Sequence, residues 1–278
     1  MKLADTPPYF WLAELDLDFE LRGQRTVMCR NRHEGPLIVQ KALYPEGPRI
    51  CQVVIIHPPG GIAGGDELRV NCDLGYGAHV QMTTPGATKW YESFDLPSKQ
   101  VIKMNLKANS VCEWLPQENI IFNKCSVDIV ADINIESGGV FIGWDFYSLG
   151  RHVEQAPMLE GRLKQKTNIV VDGVPVFTER TLFNADQFID GPGILDGFSS
   201  YGTMFIVGLP RDDLLLGELR QIAEAEMHCA LTWLDDLLIA RWVGQDIERG
   251  RQVFTHIWSR LRPTYSSNAA IKPRIWNT

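Results

Sequence analysis

The chain has 278 residues, 45% of them hydrophobic and 22% charged, with a formal net charge of −7. That composition describes a soluble globular protein able to build a full core as one large domain or two small ones. The acidic balance argues against a nucleic-acid partner. No apolar signal-peptide core opens the sequence and no apolar run is long enough for a membrane helix, so the expectation is a cytoplasmic protein.

The N-terminal part reads as β. Phe10 to Asp18 and Arg25 to Arg32 look like opening strands, and Gly35 to Gln40 follows before the turn Tyr44-Pro45-Glu46-Gly47-Pro48. Val53-Val54-Ile55-Ile56 is a continuous apolar run, expected to be a buried strand. It leads into His57-Pro58-Pro59-Gly60-Gly61-Ile62-Ala63-Gly64-Gly65-Asp66, a loop rich in glycine and proline, whose shape is set by its backbone. A phosphate-binding loop would end in Gly-Lys-Ser/Thr and open a helix. Here Asp66-Glu67 follow, and then a strand in which Leu68, Val70, Cys72 and Leu74 alternate with polar residues. Asp66 therefore reads either as a structural turn residue or as a functional carboxylate.

Period-two alternation continues through Ala78 to Thr84, Ile102 to Ala108 and Val127 to Ile135. Between these runs small-residue turns recur at Gly75-Tyr76-Gly77, Asn109-Ser110 and Ser137-Gly138-Gly139, roughly every 30 residues, as stacked β-layers or a sandwich of hairpins would require. Asp172-Gly173, between alternating apolar runs, predicts a hairpin with Pro175 at an edge or bulge. Residues 184–200 read as a mobile loop. Helices are expected only in the C-terminal third, one opened by Asp212-Asp213 and ending near Met227, one opened by Asp246 and stopped by Pro263, with a strand over Leu237 to Val243 between them.

Chemical constellations are sparse. The six cysteines are scattered without a CxxC pair, the six histidines are isolated, and there is no GxSxG elbow or HExxH motif. Asp66, Glu113, Asp145, Glu154 and Glu179 stand in apolar or glycine-rich surroundings. Two of them acting together would suit a carboxylate-based hydrolase, and single buried acids that only support the fold are the common alternative.

The loop His57–Asp66, followed by Thr83-Thr84-Pro85-Gly86-Ala87-Thr88-Lys89, resembles the urease accessory protein UreD (UreH) family. The likeness continues in family order through Tyr44-Pro45-Glu46, Glu113-Trp114-Leu115-Pro116-Gln117-Glu118, Leu149-Gly150-Arg151, Glu179-Arg180 and Pro273-Arg274-Ile275-Trp276. It departs at Gln155-Ala156, at Glu92 where arginine is frequent, and at Lys41-Ala42 where Arg-Pro is usual. The resemblance implies a single domain over residues 1–278, mainly β, a β-helix-like stack of strands with two C-terminal helices. It implies a non-enzymatic scaffold that joins UreF and the GTPase UreG on apo-urease and helps deliver nickel, with no permanently bound cofactor. Asp66, Asp145 and Glu179 match acidic positions implied to line a transient nickel passage, with room left beside Asp66 by the loop glycines. Two further expectations concern UreF: that poorly protected sheet edges make the isolated chain depend on it, and that residues 264–278, carrying Ile271, Ile275 and Trp276, dock either on it or on the chain's own sheet.

Overall fold

A strand with period-two alternation has one apolar row to bury, and a succession of such strands can bury their rows by coiling the chain over itself. The computed structural model describes residues 11–93, 96–151, 154, 156–185, 195–224 and 228–277. It opens with β1 (Leu12–Arg22), β2 (Arg25–Glu34), β3 (Ile38–Val39) and β4 (Ile50–Ile56). The coils follow as β5 (Gly61–Ile62), β6 (Glu67–Leu74), β7 (His79–Thr83), β8 (Thr88–Trp90), β9 (Ser98–Leu106), β10 (Val111–Trp114), β11 (Asn119–Ile121), β12 (Cys125–Ile135) and β13 (Val140–Arg151). After them come β14 (Ala156–Pro157), β15 (Gly161–Val171), β16 (Val174–Asn184), β17 (Ser200–Val207), α1 (Asp213–Glu224), β18 (Cys229–Leu234), β19 (Leu237–Gly244) and α2 (Ile247–Tyr265).

Each coil visits three sides. β4, β7, β10 and β13 stack in parallel on one side, β6, β9, β12 and β15 on the second, and β5, β8 and β11 on a short third. With β1 added in parallel to β6 and antiparallel strands at the ends, these become a seven-stranded sheet ordered β16-β15-β12-β9-β6-β1-β2 and a twelve-stranded sheet with main path β18-β19-β17-β13-β10-β7-β4-β3. Stacked layers are therefore the correct reading of the sequence rhythm. The turns themselves stack: the Gly77 N–H donates to the Ala108 carbonyl at 3.3 Å and the Asn109 N–H to the Gly138 carbonyl at 3.1 Å. Gly77, Asn109 and Gly138 have φ of 66°, 60° and 83°, a region open to glycine and tolerated by asparagine.

Register aligns the interior into rows. Leu17, Cys72, Met104, Ile133 and Ile169 form one, and Phe19, Leu74, Leu106, Ile135 and Val171 the next. Towards the other end of the same strands the rows turn polar, ending Ala131–Thr167 and Ile129–Gln165. On the solvent face asparagines bond from coil to coil: Asn71 to Asp16 (2.9 Å), Asn105 to Asp73 (2.7 Å), Asn134 to Asn105 (2.9 Å) and Asn168 to Asp132 (2.6 Å).

Several details differ from expectation. The edges of the seven-stranded sheet are protected: β2 exposes Arg25, Arg30, Arg32 and Glu34, and β16 carries Pro175 beside a register shift. Most of the loop expected over 184–200 lies outside the described residues, as does Met227; within that stretch Asn184 ends β16 and Ser200 begins β17. Asp212 caps α1, accepting from the Leu214 and Leu215 N–H groups at 2.9 and 3.0 Å, and Asp246 caps α2. Pro263 does not stop α2, which continues to Tyr265 because Arg262 is buried there and the Ser266 N–H closes the last turn on its carbonyl. Both helices cover the outer face of the twelve-stranded sheet with a second core that includes Trp144, Phe146, Phe254 and Trp258. Trp276 joins that core, donating from Nε1 to Thr83 Oγ1 at 2.8 Å with its ring 5.8 Å from that of Trp144. Of the two docking places considered for the C-terminal segment, Trp276 takes the chain's own sheet, while Ile271 stays exposed.

Under α2 lies a charged cluster without access to solvent. Arg262 donates from Nη2 to Glu46 at 3.0 Å, and its Nε stands 3.0 Å from Glu113, which also meets His79 Nε2 at 2.9 Å and accepts from Gln81 at 2.9 Å. Burial pushes the Glu113 carboxyl up, but His79, Arg262 and Gln81 together outweigh it and hold that carboxyl below its ordinary range. For Glu46 burial prevails over Arg262 and the pKa is raised. Arg262→Ala would leave two buried carboxylates without their cation, a loss of about 3–5 kcal/mol. Urea unfolding should show a correspondingly lower midpoint; an unchanged midpoint would mean that the cluster does not hold α2 to the sheet.

Candidate functional site

Where the interior rows turn polar, the two sheets do not close on each other. A cavity of about 350 Å³ is lined by His57, Gly60 and Gly61 of the central loop, by the Thr84–Lys89 segment, and by Gln100, Trp114, Asn119 and Asp145. A second, of about 580 Å³, is lined by Asp145, Tyr147, Gln165, Thr167, Glu179, Tyr201, Thr203 and Arg241. Asp145 lines both.

Strand register explains why these side chains converge. Across the twelve-stranded sheet Asp145 pairs with Thr203 and Thr203 with Arg241; across the seven-stranded sheet Ala131 pairs with Thr167 and Thr167 with Glu179. Two transverse rows thus face each other, and their outer ends meet where Arg241 Nη2 donates to Glu179 Oε1. Aromatic contacts flank that pair, Phe177 with Phe205 at 5.4 Å and Phe183 with Tyr201 at 5.1 Å. Deeper in, Tyr147 stacks on Tyr201 at 5.1 Å, and the Tyr201 hydroxyl donates to Gln165 at 2.5 Å.

Asp145 is surrounded by protein, and its accessible surface faces the cavities. Burial pushes its carboxyl up to about 7, against a smaller opposing effect of a hydrogen bond from Trp114. Near neutral pH the group exists in both forms. His57 is held below the usual imidazole range by burial, opposed by the nearby charge of Asp66, so its ring is neutral at pH 7.

The three sequence-predicted acids do not share one space. Asp145 and Glu179 line the second cavity, whereas Asp66 lines neither; its Oδ2 accepts from the Ala63 N–H at 2.9 Å and closes the loop's own turn. Nor do Gly61 and Gly64 leave room beside it, although a Cβ on Gly60 would meet nothing within 4 Å. A Cβ on Gly61 would stand 2.0 Å from the Tyr91 ring and one on Gly64 3.0 Å from the Ser93 Cα, so both are small because the next coil presses against them. Glu179 pairs with Arg241 rather than with Arg180 or Arg151, and Arg151 bonds Glu154 instead. A hydrolase would need two available carboxylates; here one of the two in the cavity is held by an arginine. Among the described residues no group of three or more His, Cys, Asp or Glu is placed to hold a metal ion, and no helix is long and apolar enough to cross a membrane.

Arg241, Gln165 and Thr167 were not singled out from sequence, yet a signal was present. Each lies on the apolar phase of its strand, Arg241 with Leu237 and Ile239, Gln165 and Thr167 with Leu163 and Ile169. A polar residue in that phase either meets a partner or lines a void.

A family model described as UreD urease accessory protein matches residues 12–277. A protein named urease accessory protein UreD from Methylobacillus flagellatus is 40% identical over 270 residues, covering 96% of this chain and 95% of its own length. Proteins of the same name from Azoarcus sp. and Dechloromonas aromatica are 40% and 38% identical, each over 96% of this chain and at least 94% of their own length. These relatives are named as accessory proteins, not as enzymes.

The raised Asp145 pKa has a defined effect on stability. The folded state holds this proton more tightly than the unfolded chain, so the contribution is full below the ordinary aspartate value and is lost as pH rises through about 7. Asp145→Asn removes the loss. Its unfolding free energy relative to the parent should rise between about pH 5 and pH 8, by on the order of a few kcal/mol; a pH-independent difference would show that the carboxyl titrates normally.

Proposed function

The chain belongs to the UreD urease accessory protein family, and on that premise we propose that it is a cytoplasmic nickel-delivery scaffold, assembling with UreF and the GTPase UreG on apo-urease. The observation that carries this reading is the carboxylate of Asp145, facing two cavities between the sheets. Nickel is the cargo in this reading, and the chain's part is to give it a path.

The donor set suits transit. Several His or Cys ligands would hold nickel too firmly to hand it on, whereas single carboxylates and neutral oxygens give weak, exchangeable contacts. Asp145 receives a cation by giving up its proton, so the entering ion meets a carboxylate whose charge it neutralises rather than a permanently buried negative charge. Thr167, Thr203 and Gln165 continue the oxygen-lined surface towards Glu179. Asp66 keeps the central loop in shape and lends its field to His57 at the first cavity, a role by the passage rather than in it.

Asp145→Ala and Glu179→Ala should each lower the nickel content of urease several-fold while complexes with UreF and urease still form by size-exclusion chromatography. Full nickel loading with both variants would overturn the passage. Asp66→Ala should act through the loop, lowering the thermal midpoint along with any loss of nickel.

A further inference from the structure

The second cavity contains an arginine that a cation path has no evident use for. Arg241 enters it from β19, in phase with Leu237 and Ile239, and its guanidinium reaches across to Glu179 on β16, an edge strand of the opposite sheet. The pair stands at the outer end of the facing rows Asp145–Thr203–Arg241 and Ala131–Thr167–Glu179, between the contacts Phe177–Phe205 and Phe183–Tyr201. Both side chains remain reachable, Arg241 52% and Glu179 28% exposed, so the pair sits at a mouth, where water weakens it. We infer that Arg241 is a tethered counter-cation that occupies Glu179 at rest, and that a divalent cation reaching this carboxylate takes its place, the guanidinium swinging out to solvent.

Three physical points support the exchange. A carboxylate at the end of a polar lane, with no competitor, would hold a divalent ion longer; a guanidinium already on it lowers that affinity and so favours release. The same positive charge repels ions arriving singly from bulk solvent and so lowers their concentration at the mouth. And because the pair is exposed, opening it costs little, whereas a buried pair such as Arg262–Glu113 would resist. Arg180, which also lines the cavity, leaves Glu179 to Arg241 in this arrangement.

The inference rests on the passage reading only for why a cation should arrive, and it is tested without urease. Nickel chloride is titrated into the full-length protein by isothermal calorimetry, comparing wild type with R241Q, R241M, R241K, E179Q and the double variant R241Q/E179Q. Freeing Glu179 should tighten binding in R241Q and R241M by about fivefold, equivalent to about 1 kcal/mol. R241K should stay near wild type, and neither E179Q nor the double variant should gain. Thermal unfolding of the same proteins separates this role from a strut between sheets. A lowered midpoint in R241Q and R241M with unchanged nickel affinity would overturn the exchange, as would a gain that persists in the double variant. Normal nickel loading of urease by Asp145→Ala and Glu179→Ala would refute the passage and leave this measurement standing.

Discussion

Everything in this protein depends on parallel backbone pairing from coil to coil. Because β6, β9, β12 and β15 pair in parallel, each interior side chain sits above its equivalent in the previous coil, and one alternation pattern becomes a set of continuous rows. Where a row is Leu-Cys-Met-Ile-Ile the sheets meet and exclude water; where it ends in Thr167 or Gln165 they remain apart. The cavities are thus the polar ends of the same rows that make the core, and no separate binding domain is needed.

Two charged arrangements of opposite character occupy the two faces of the twelve-stranded sheet. On its outer face Arg262 is sealed between Glu46 and Glu113 under α2, where removing one member would strand the others. On its inner face Asp145 has no arginine partner, and Arg241 meets Glu179 only at the rim. The first arrangement suits fixing a helix to a sheet. The second leaves one carboxylate free to titrate and a second held by a pair that water can open.

Much of this was legible in the sequence. Alternation in Val127–Ile135 and Ile102–Ala108, the small-residue turns between such runs, and Asp172-Gly173 marked the strands and the hairpin, because each rests on local backbone chemistry. The choice between stacked layers and a sandwich lay in long-range pairing that only the family resemblance pointed to. The Tyr44-Pro45-Glu46 and Glu113-Trp114 blocks were visible, but not that they close on Arg262, since a partner so distant along the chain leaves no local trace. The site was half readable. Asp145 and Glu179 fall on one cavity, whereas Asp66 lines neither. Its carboxylate closes the loop's own turn, and Tyr91 and Ser93 of the next coil fill the space at Gly61 and Gly64. Arg241 passed unnoticed because its strand was read for its apolar members.

The asparagine bonds on the solvent face of the seven-stranded sheet have a consequence for fidelity. Apolar rows reject any slip of a strand by one residue, since that turns the whole row outward, yet they tolerate a slip by two, which keeps every side chain on its own face. Asn71, Asn105, Asn134 and Asn168 each bond an Asp or Asn of an adjacent strand. A two-residue slip would part every one of these couples while leaving the interior nearly as greasy as before. The polar exterior therefore acts as a vernier, reading the displacements to which the core is blind, and it does so on the sheet that sets Thr167 opposite Glu179.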